Sequence, residues 1–258
     1  MCSNFISDVR SAFSGELSDT ELFVFDSIGS TNDEARNFAL SGSDKNAIFI
    51  AREQTSGRGR RGRSFISREG GLYISYLLHP RLSVRDSVML TVFAAVALSE
   101  VIEEMTESKP GIKWVNDVFL GGKKLAGILA EGGFSPDGEL FDYAVVGIGV
   151  NLHGASVPPE IEGIATTLEA ESHTRVDISE FAVRLAKKLS KFEDNLSRSY
   201  MEDYRKRCFI VGKRVKMTSA GEEFFAKILG IENDGALRIV LDSGEEKILY
   251  SAEVSVVL

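Results

Sequence analysis

Arginines and glycines alternate in one short segment of this chain. Gly57–Arg63 reads GRGRRGR, so four arginines fall within seven residues. Guanidinium groups this close repel one another unless anions or carboxylates lie nearby. Arginine can fork onto a phosphate, and glycine lets backbone amides approach one. The segment therefore predicts a phosphate-handling loop, although a solvated basic loop or a nucleic-acid or targeting patch explains the same residues. It is not a Walker loop, because GxxxxGK[ST] is absent.

Two lysines lie in otherwise apolar segments. Lys113 belongs to GIKWVND and Lys124 opens KLAGILAE. Such a cation can face a phosphate or a developing oxyanion, or it can extend along apolar surface and leave its ammonium in water. Asn116 offers a donor and an acceptor, which suit a base edge or a metal-bound water. Trp114 is predicted to be a core residue rather than a stacking platform.

Two further segments combine polar or small residues with apolar neighbours. Ser30, Thr31 and Asn32 lie at a predicted strand-to-helix junction, where hydroxyl groups cap helices and the remaining polar groups could bind a small ligand. Gly147–Asn151 reads GIGVN, and its glycines either let another group approach the backbone or serve tight sheet packing. This second segment does not match a dinucleotide-binding fingerprint.

Composition excludes several classes of protein. The chain has 258 residues and a formal net charge of −8, so general nucleic-acid binding is not expected. Cys2, Cys208 and three scattered histidines show no metal-ligand spacing. The first twenty residues lack an apolar run typical of a signal peptide, and the longest apolar stretch, Val88–Leu98, is too short to span a bilayer. These features predict a cytoplasmic protein without a membrane partner.

Hydrophobic periodicity predicts alternating strands and helices before Cys208. The predicted strands are Leu22–Phe25, Ala47–Ala51, Gly71–Leu78, Ile112–Asn116, Val118–Leu120, Lys124–Glu131 and Tyr143–Asn151. The predicted helices run to about Leu40 from a Thr31/Glu34 capping box, from about Arg85 to Met105, and over Ile178–Tyr200. Arg52–Arg63 has no period and is predicted to be a loop.

The pattern changes after Cys208. The predicted strands there are short and joined by turn residues: Arg214–Met217, Phe224–Ile231, Ala236–Leu241, Lys247–Tyr250 and Val254–Leu258. Five strands in about fifty residues favour a small β-barrel. We therefore predict an N-terminal arm over residues 1–20, a main domain over 21–208 and a small barrel over 209–258.

These segments together resemble biotin protein ligases, also called biotin–[acetyl-CoA-carboxylase] ligases. The matching pieces are STN at 30–32, GRGRRGR at 57–63, KWVND at 113–117, KLAGILAE at 124–131 and GIGVN at 147–151. They follow the family's order, and the resemblance covers about residues 21–258. Larger bacterial members carry an N-terminal helix-turn-helix domain. Because STN begins at residue 30, the expected form is monofunctional, with no DNA binding.

The resemblance implies a fold and a reaction. The implied fold is α+β: a mixed β-sheet with packed helices, as in a class II synthetase-like catalytic domain, followed by a small C-terminal SH3-like β-barrel. The carboxylate of biotin would attack the α-phosphate of MgATP, expel pyrophosphate and leave biotinyl-5′-AMP bound. A lysine of a biotin carboxyl carrier protein would then take the biotinyl group. ATP and Mg²⁺ are expected as cosubstrate, with no tightly bound metal or organic cofactor. The sequence does not decide between a monomer and a homodimer, in which an exposed strand such as Tyr143–Asn151 would pair with the second copy.

The resemblance also implies residue roles. Lys124 and Arg60 are the implied catalytic residues. The implied biotin-binding residues are Ser30, Thr31, Asn32, Gln54, Arg58, Gly59, Arg60, Lys124 and Gly127. The implied nucleotide-binding residues are Arg61, Lys113, Asn116 and Asn151, and Asp117 is the implied magnesium ligand. Two positions depart from the family pattern: Val115 replaces a usual proline, and Phe65 replaces a usual tryptophan and so lacks an indole donor.

Three other interpretations fit parts of the sequence. A lipoate ligase shares the acyl-adenylate logic, but the GRGRRGR loop favours biotin, whose ureido ring needs several polar partners. A nucleic-acid-binding module is disfavoured by the acidic net charge and by the lack of interleaved basic and aromatic residues in the last five strands. An inactive relative that only binds biotin is disfavoured by the presence of Lys124.

Overall fold

The central feature of the computed structural model is a mixed seven-stranded sheet. The structure describes residues 4–192, 198–219, 221–250 and 252–255. The strands are β1 Glu21–Ile28, β2 Ala47–Gln54, β3 Gly71–Leu78, β4 Gly111–Lys113, β5 Asp117–Leu120, β6 Lys123–Phe134 and β7 Phe141–Asn151. Their order is β1-β2-β3-β7-β6-β5-β4. Only the β1–β2 pair of this sheet is parallel.

Three helices pack on one face of this sheet. They are α1 Phe5–Ala12, α3 Val88–Thr106 and α5 Ile178–Leu189. Helix α3 is apolar on most sides and is buried between the sheet and the neighbouring helices. Alternate strand residues such as Ile50, Ile74 and Ile148 point into this layer and are fully buried or nearly so. The main hydrophobic core therefore lies on this side.

Helix α2, Thr31–Leu40, packs on the opposite face and covers only part of it. Ala35 and Ala39 of the helix contact Phe49 and Val145 of the sheet in a second core cluster. Ser30 is the N-cap, and its Oγ accepts from the Asp33 amide at 3.4 Å. The predicted Thr31/Glu34 capping box is therefore wrong by one residue: the chain enters the helix at Ser30, whose backbone is extended.

Glycines leave a hollow where α2 begins. Gly149 lies between Tyr73 of β3 and Gly127 of β6, and Gly147 lies between Ser75 and Leu129. Because side chains alternate between the faces of a sheet, these glycines leave the α2 face without bulk. The strand register thus creates a depression beside the helix N-terminus.

The rest of the chain adds two helices and a second sheet. The helices are α4 Leu168–Ser172 and α6 Arg198–Arg207. The strands are β8 Arg214–Ser219, β9 Glu222–Ile231, β10 Leu237–Leu241, β11 Glu246–Leu249 and β12 Glu253–Ser255, in the antiparallel order β11-β10-β9-β8-β12. Trp114 Nε1 donates to the Gly235 carbonyl at 2.9 Å, and this bond joins the small sheet to the large one.

The structure confirms the predicted α+β class and, with shifted ends, most of the predicted strands; the strand predicted over Ile112–Asn116 is observed only over Gly111–Lys113, because Trp114–Asn116 form the turn into β5. Besides the capping box, three other predictions are corrected. The helix expected over Ile178–Tyr200 ends at Leu189, because tight i−3 hydrogen bonds turn the chain and bury Phe192 against Phe93. The last predicted strand is observed over Glu253–Ser255, and residues 256–258 lie outside the described part.

The other two corrections concern a loop and an edge. Arg52–Gln54 continues β2, and Arg60–Gly62 forms a short 3-10 turn, so Arg52–Arg63 is not one loop. Strand β7 pairs with β3 on one side and β6 on the other. Tyr143–Asn151 therefore has no free edge for a partner, contrary to expectation. Among the helices described here, none has the length and apolarity needed to cross a membrane.

Candidate active site

The hollow beside α2 is a cavity of about 270 Å³. Its floor includes Gly127, Gly147 and Gly149 of the large sheet. The start of α2 forms one wall, the arginine-rich segment forms another, and the β4–β5 turn with Ala252 and Val254 closes the remainder. Segments that are distant in sequence thus meet around one space.

One end of the cavity carries a network of uncharged polar groups. Gln54 Oε1 accepts from the Thr31 amide at 2.8 Å and from Thr31 Oγ1 at 3.0 Å, while Gln54 Nε2 donates to Ser67 Oγ at 2.9 Å. Ser75 Oγ lies 2.8 Å from Thr31 Oγ1 and 2.6 Å from Asn32 Oδ1. Each side chain is held by its neighbours, so this end is a preorganised set of donors and acceptors.

Gly147 determines where Asn32 can lie. A Cβ at residue 147 would overlap Asn32 Oδ1, so only glycine lets the amide lie this close to the sheet. The Asn32 Nδ2 group donates to Glu131 Oε2 at 2.9 Å and to the Leu129 carbonyl at 3.3 Å. The glycine of the GIGVN motif therefore serves the cavity as well as the sheet.

The arginine-rich segment folds back on itself beside the cavity. The Gly59 amide donates to the Arg63 carbonyl at 2.7 Å, and Arg61 and Gly62 make the turn with positive φ values of 55° and 74°. Arg58 donates to Asp33 Oδ1 at 2.6 Å and to Glu131 Oε1 at 2.7 Å. Burial of this guanidinium disfavours its charge, but the two carboxylates outweigh that cost and raise the pKa of Arg58. Part of the segment's charge repulsion is therefore relieved within the protein.

Phe65 covers the glycine floor. Its ring would lie 2.5 Å from a Cβ at residue 149, so that position needs glycine, and 3.1 Å from a Cβ at residue 127, which is a tight contact. The Lys124 ammonium lies 5.9 Å from the centre of the same ring, within the range of a cation–π contact. The floor thus brings an aromatic surface next to a cation.

Lys124 forms the ionic end of the cavity together with Asp117. The Lys124 Nζ atom lies 2.6 Å from Asp117 Oδ1, and the two side chains are 34% and 20% exposed. The Lys124 backbone is held on both sides, since its amide donates to the Ile164 carbonyl at 3.0 Å and its carbonyl accepts from the Thr166 amide at 2.9 Å. This frame fixes the backbone of Lys124 at the wall of the cavity, and Asp117 holds its ammonium.

The β4–β5 turn connects the ionic end to the arginine-rich segment. Arg60 Nη1 donates to Asn116 Oδ1 at 3.1 Å, and Asn116 Nδ2 donates to the Ile128 carbonyl at 2.9 Å. Lys113 lies 5.8 Å from the Phe119 ring centre. The Trp114–Val115 peptide bond in this turn is cis, and Trp114 is buried in the core as predicted.

The cavity brings together nearly all the residues predicted for the site. Its lining includes Ser30, Thr31, Asn32, Gln54, Arg58, Gly59, Arg60, Arg61, Lys113, Asn116, Asp117, Lys124 and Gly127. Asn151 does not line it: this residue is 5% exposed and lies opposite Gly71, one row beyond Gly149. Sequence reasoning missed Ser75 and Glu131. Ser75 carried a signal, because it is a polar residue within the apolar run GLYISYLL.

Asp117 is the carboxylate of the cavity lining. No group of three or more His, Cys, Asp or Glu side chains within the described ranges could hold a metal ion. A metal that arrives on a phosphate ligand needs fewer protein ligands, since Mg²⁺ typically takes one or two carboxylates plus phosphate oxygens and water. Asp117 fits that more limited role.

The two ends of the cavity suit different parts of one ligand. The Thr31–Gln54–Ser75 end offers uncharged hydrogen-bonding groups, and the Lys124–Arg60 end offers cations. An elongated molecule with a neutral polar head and an anionic tail would satisfy both. Cations directed at a place where two anions meet can also lower the barrier to their reaction.

Comparison with known proteins places this geometry in context. Residues 24–151 match the model of the Biotin/lipoate A/B protein ligase family, and residues 210–257 match the Biotin protein ligase C terminal domain. A biotin–[acetyl-CoA-carboxylase] ligase from Paracoccus denitrificans is 34% identical, over 87% of this chain and 96% of that protein. A bifunctional ligase/repressor from Bacillus spizizenii is 30% identical, over 96% of this chain and 78% of that protein.

A solved structure gives the same result in three dimensions. The biotin protein ligase from Aquifex aeolicus in complex with biotin and ATP superposes with a TM-score of 0.75 and 29% sequence identity. The match covers 91% of this chain and 97% of that one. It therefore spans both the large sheet and most of the C-terminal region.

Proposed function

Because the chain belongs to the biotin protein ligase family, we propose that its cavity activates biotin with ATP and transfers it to an acceptor lysine. The protein is a biotin–[acetyl-CoA-carboxylase] ligase. It forms biotinyl-5′-AMP with release of pyrophosphate, and the acceptor is a lysine of a biotin carboxyl carrier protein. The observation that carries this function is the cavity with an uncharged polar end and a cationic end, on a chain whose C-terminal residues match the biotin ligase module.

The uncharged end suits the ureido ring of biotin. That ring is neutral and presents both N–H donors and a carbonyl acceptor. We assign it to Ser30, Thr31, Asn32 and Gln54, with Gly59 and Arg58 at its side. The preorganised network around Gln54 and Ser75 supports this assignment, because the partners are oriented before the ligand binds.

The cationic end suits the reacting groups. We assign the carboxylate of biotin and the α-phosphate of ATP to Lys124 and Arg60, the remaining phosphates to Arg61 and Lys113, and the adenylate side to Asn116. Asn151, which does not line the cavity, receives no role in this proposal. A carboxylate oxygen attacks the α-phosphorus while the bond to pyrophosphate breaks. The Lys124 ammonium offsets the repulsion between the two anions as they approach. Asp117 keeps that ammonium paired and oriented within the cavity wall.

Magnesium has a limited place in this proposal. Asp117 would hold a Mg²⁺ ion that arrives with ATP, with phosphate oxygens and water completing its coordination. When bound, the ion neutralises phosphate charge. The chain's own residues bind and orient biotin and keep water away.

The second step needs no covalent enzyme intermediate. The amine of the acceptor lysine attacks the acyl carbon of the mixed anhydride, and AMP leaves with the bonding electrons. Until then the arginine-rich segment acts as a lid that retains the intermediate. The hydrogen bond from Arg60 to Asn116, which joins the arginine-rich segment to the β4–β5 turn at the cavity wall, supports this role.

We propose that the chain divides into an arm over residues 1–20, a catalytic domain over 21–208 and a small domain over 209–258. Helix α1 of the arm buries Val9 and Phe13 against the catalytic domain. The five antiparallel strands of the small domain are proposed to curl into an SH3-like barrel.

Adenylation with two acids tests the function. Chain, MgATP and either biotin or lipoate are mixed, and pyrophosphate and the acyl-AMP are measured. Biotin should release pyrophosphate and form biotinyl-AMP, whereas lipoate should give at most a small fraction of that rate. A higher rate with lipoate, or no activation of biotin, would contradict the proposal.

A further inference from the structure

Glu131 joins two parts of the site without lining the cavity itself. It lies on β6, the strand that also carries Lys124, and its side chain is 27% exposed. Its Oε1 accepts from Arg58 Nη2 at 2.7 Å, and its Oε2 accepts from Asn32 Nδ2 at 2.9 Å. One carboxylate thus bonds to the arginine-rich segment and to the start of α2.

The bond to Asn32 determines what that amide can offer. An asparagine amide has two N–H donors and one carbonyl oxygen with two lone pairs. Both donors are used within the protein, one by Glu131 and one by the Leu129 carbonyl. Ser75 Oγ lies 2.6 Å from the carbonyl oxygen, which retains one lone pair. Glu131 therefore keeps Asn32 in the orientation that leaves an acceptor for a ligand N–H group.

The bond to Arg58 determines where the arginine-rich segment lies. Arg58 bridges Glu131 on β6 and Asp33 on α2 with short, charge-assisted hydrogen bonds. Arg58 is also the first arginine of the segment, so these two bonds anchor its N-terminal end to the sheet and the helix. A loop with a fixed end closes over a ligand at a lower entropic cost than a free loop.

We propose that Glu131 is a positioning residue that orients Asn32 and anchors the lid through Arg58. The inference rests on the proposed function, because it gives the two oriented groups their roles in biotin binding and retention. Glu131 touches neither substrate nor reacting atoms in this scheme. Its effects should therefore concern biotin binding and lid closure rather than the chemical step.

Glu131→Gln tests this role at nearly constant side-chain volume. Both partners of Glu131 are donors, and a glutamine carbonyl can accept while its amide nitrogen cannot. In this variant either Arg58 or Asn32 therefore faces the N–H groups of the glutamine amide and loses its hydrogen bond. Loss of a hydrogen bond to a charged group changes binding by about tenfold or more. We expect the KM for biotin to rise by at least about tenfold, while kcat at saturating biotin and the KM for ATP change by less than about threefold.

A proteolysis assay reports on the lid independently of catalysis. Trypsin can cut after the exposed arginines of residues 58–63, and the cutting rate follows the population of the open segment. Glu131→Gln should be cut there at least about fivefold faster than the parent. Glu103→Gln is the matched control: Glu103 accepts from Arg207 Nη2 at 2.9 Å, is 35% exposed and lies away from the cavity. It should match the parent in both assays.

Asp33→Asn provides a second variant if Glu131→Gln does not fold. It removes the other carboxylate partner of Arg58 and leaves the bond between Asn32 and Glu131 in place. It should speed cleavage of the segment but raise the KM for biotin less than Glu131→Gln does. An unchanged KM for biotin or an unchanged cleavage rate in Glu131→Gln overturns the inference. If the parent protein fails to activate biotin, the proposed function falls instead, and the cleavage rates still decide whether Glu131 anchors the segment.

Discussion

Replacing Lys124 by methionine should slow biotin-dependent pyrophosphate exchange about a thousandfold. Methionine keeps most of the apolar stem and removes the ammonium that lies 2.6 Å from Asp117. A unit charge about 4 Å from a reacting anion contributes about 4 kcal/mol at an effective dielectric near 20. The two anions come closest in the transition state, so loss of the ammonium raises the activation barrier by about 4 kcal/mol. Because about 1.4 kcal/mol corresponds to a tenfold change in rate, the rate falls about a thousandfold.

The assay measures label transfer from pyrophosphate into ATP with and without biotin. Lys123→Met is the matched control, because the Lys123 ammonium donates to the Glu162 carbonyl at 2.8 Å and does not line the cavity. It should exchange at the parent rate. The double variant Lys124→Met/Asp117→Asn removes both charges and should stay as slow as the single variant. Exchange within about threefold of the parent in Lys124→Met, or recovery in the double variant, would refute the charge argument.

Three further outcomes are expected. Arg60→Gly removes the hydrogen bond to Asn116 and should release biotinyl-AMP about tenfold faster; untargeted labelling of lysines in a bystander protein reports the leak, and equal labelling contradicts the lid. Gly147→Ala places a methyl group on Asn32 Oδ1 and should raise the Kd for biotin at least about tenfold; calorimetry with unchanged affinity contradicts that contact. Burial raises the pKa of Cys208 to about 11, so in a Cys2→Ser background the native thiol should resist a thiol reagent at pH about 8 and react only after unfolding.

Local patterns in the sequence were sufficient for much of the fold. The strands around Ile50 and Ile148 were predicted because each is a short apolar run of strand length, and Gly71–Leu78 was predicted because its apolar run lies between Gly70 and Pro80. The central helix α3 was predicted because apolar residues recur densely at helical spacing along it. The helix predicted over Ile178–Tyr200 is observed over Ile178–Leu189 and again from Arg198, because the turn that buries Phe192 against Phe93 is a tertiary contact with no periodic signal.

For the site, the sequence indicated which residues take part, but it did not indicate which of them contact one another. Lys124, Arg60 and Thr31 could be proposed from the sequence, because their motifs concentrate charge or polar groups at positions where packing alone does not need them. Their motifs gave no distances, however. That Lys124 pairs with Asp117, and that Arg60 reaches Asn116, depends on how the β4–β5 turn faces the arginine-rich segment.

Strand register and sheet order were decided only in the tertiary structure. Ser75, Gly147 and Leu129 share one row of the sheet because β7 pairs with both β3 and β6. The same register places Glu131 one row beyond them, next to Asn32, and places Asn151 beyond the edge of the cavity. The sequence by itself determined the residue types, the elements and the family motifs, since these depend on neighbours along the chain. The pairing that turns three glycines into the floor of a cavity, and a glutamate into the partner of Asn32 and Arg58, depends on hydrogen bonds between strands far apart in sequence.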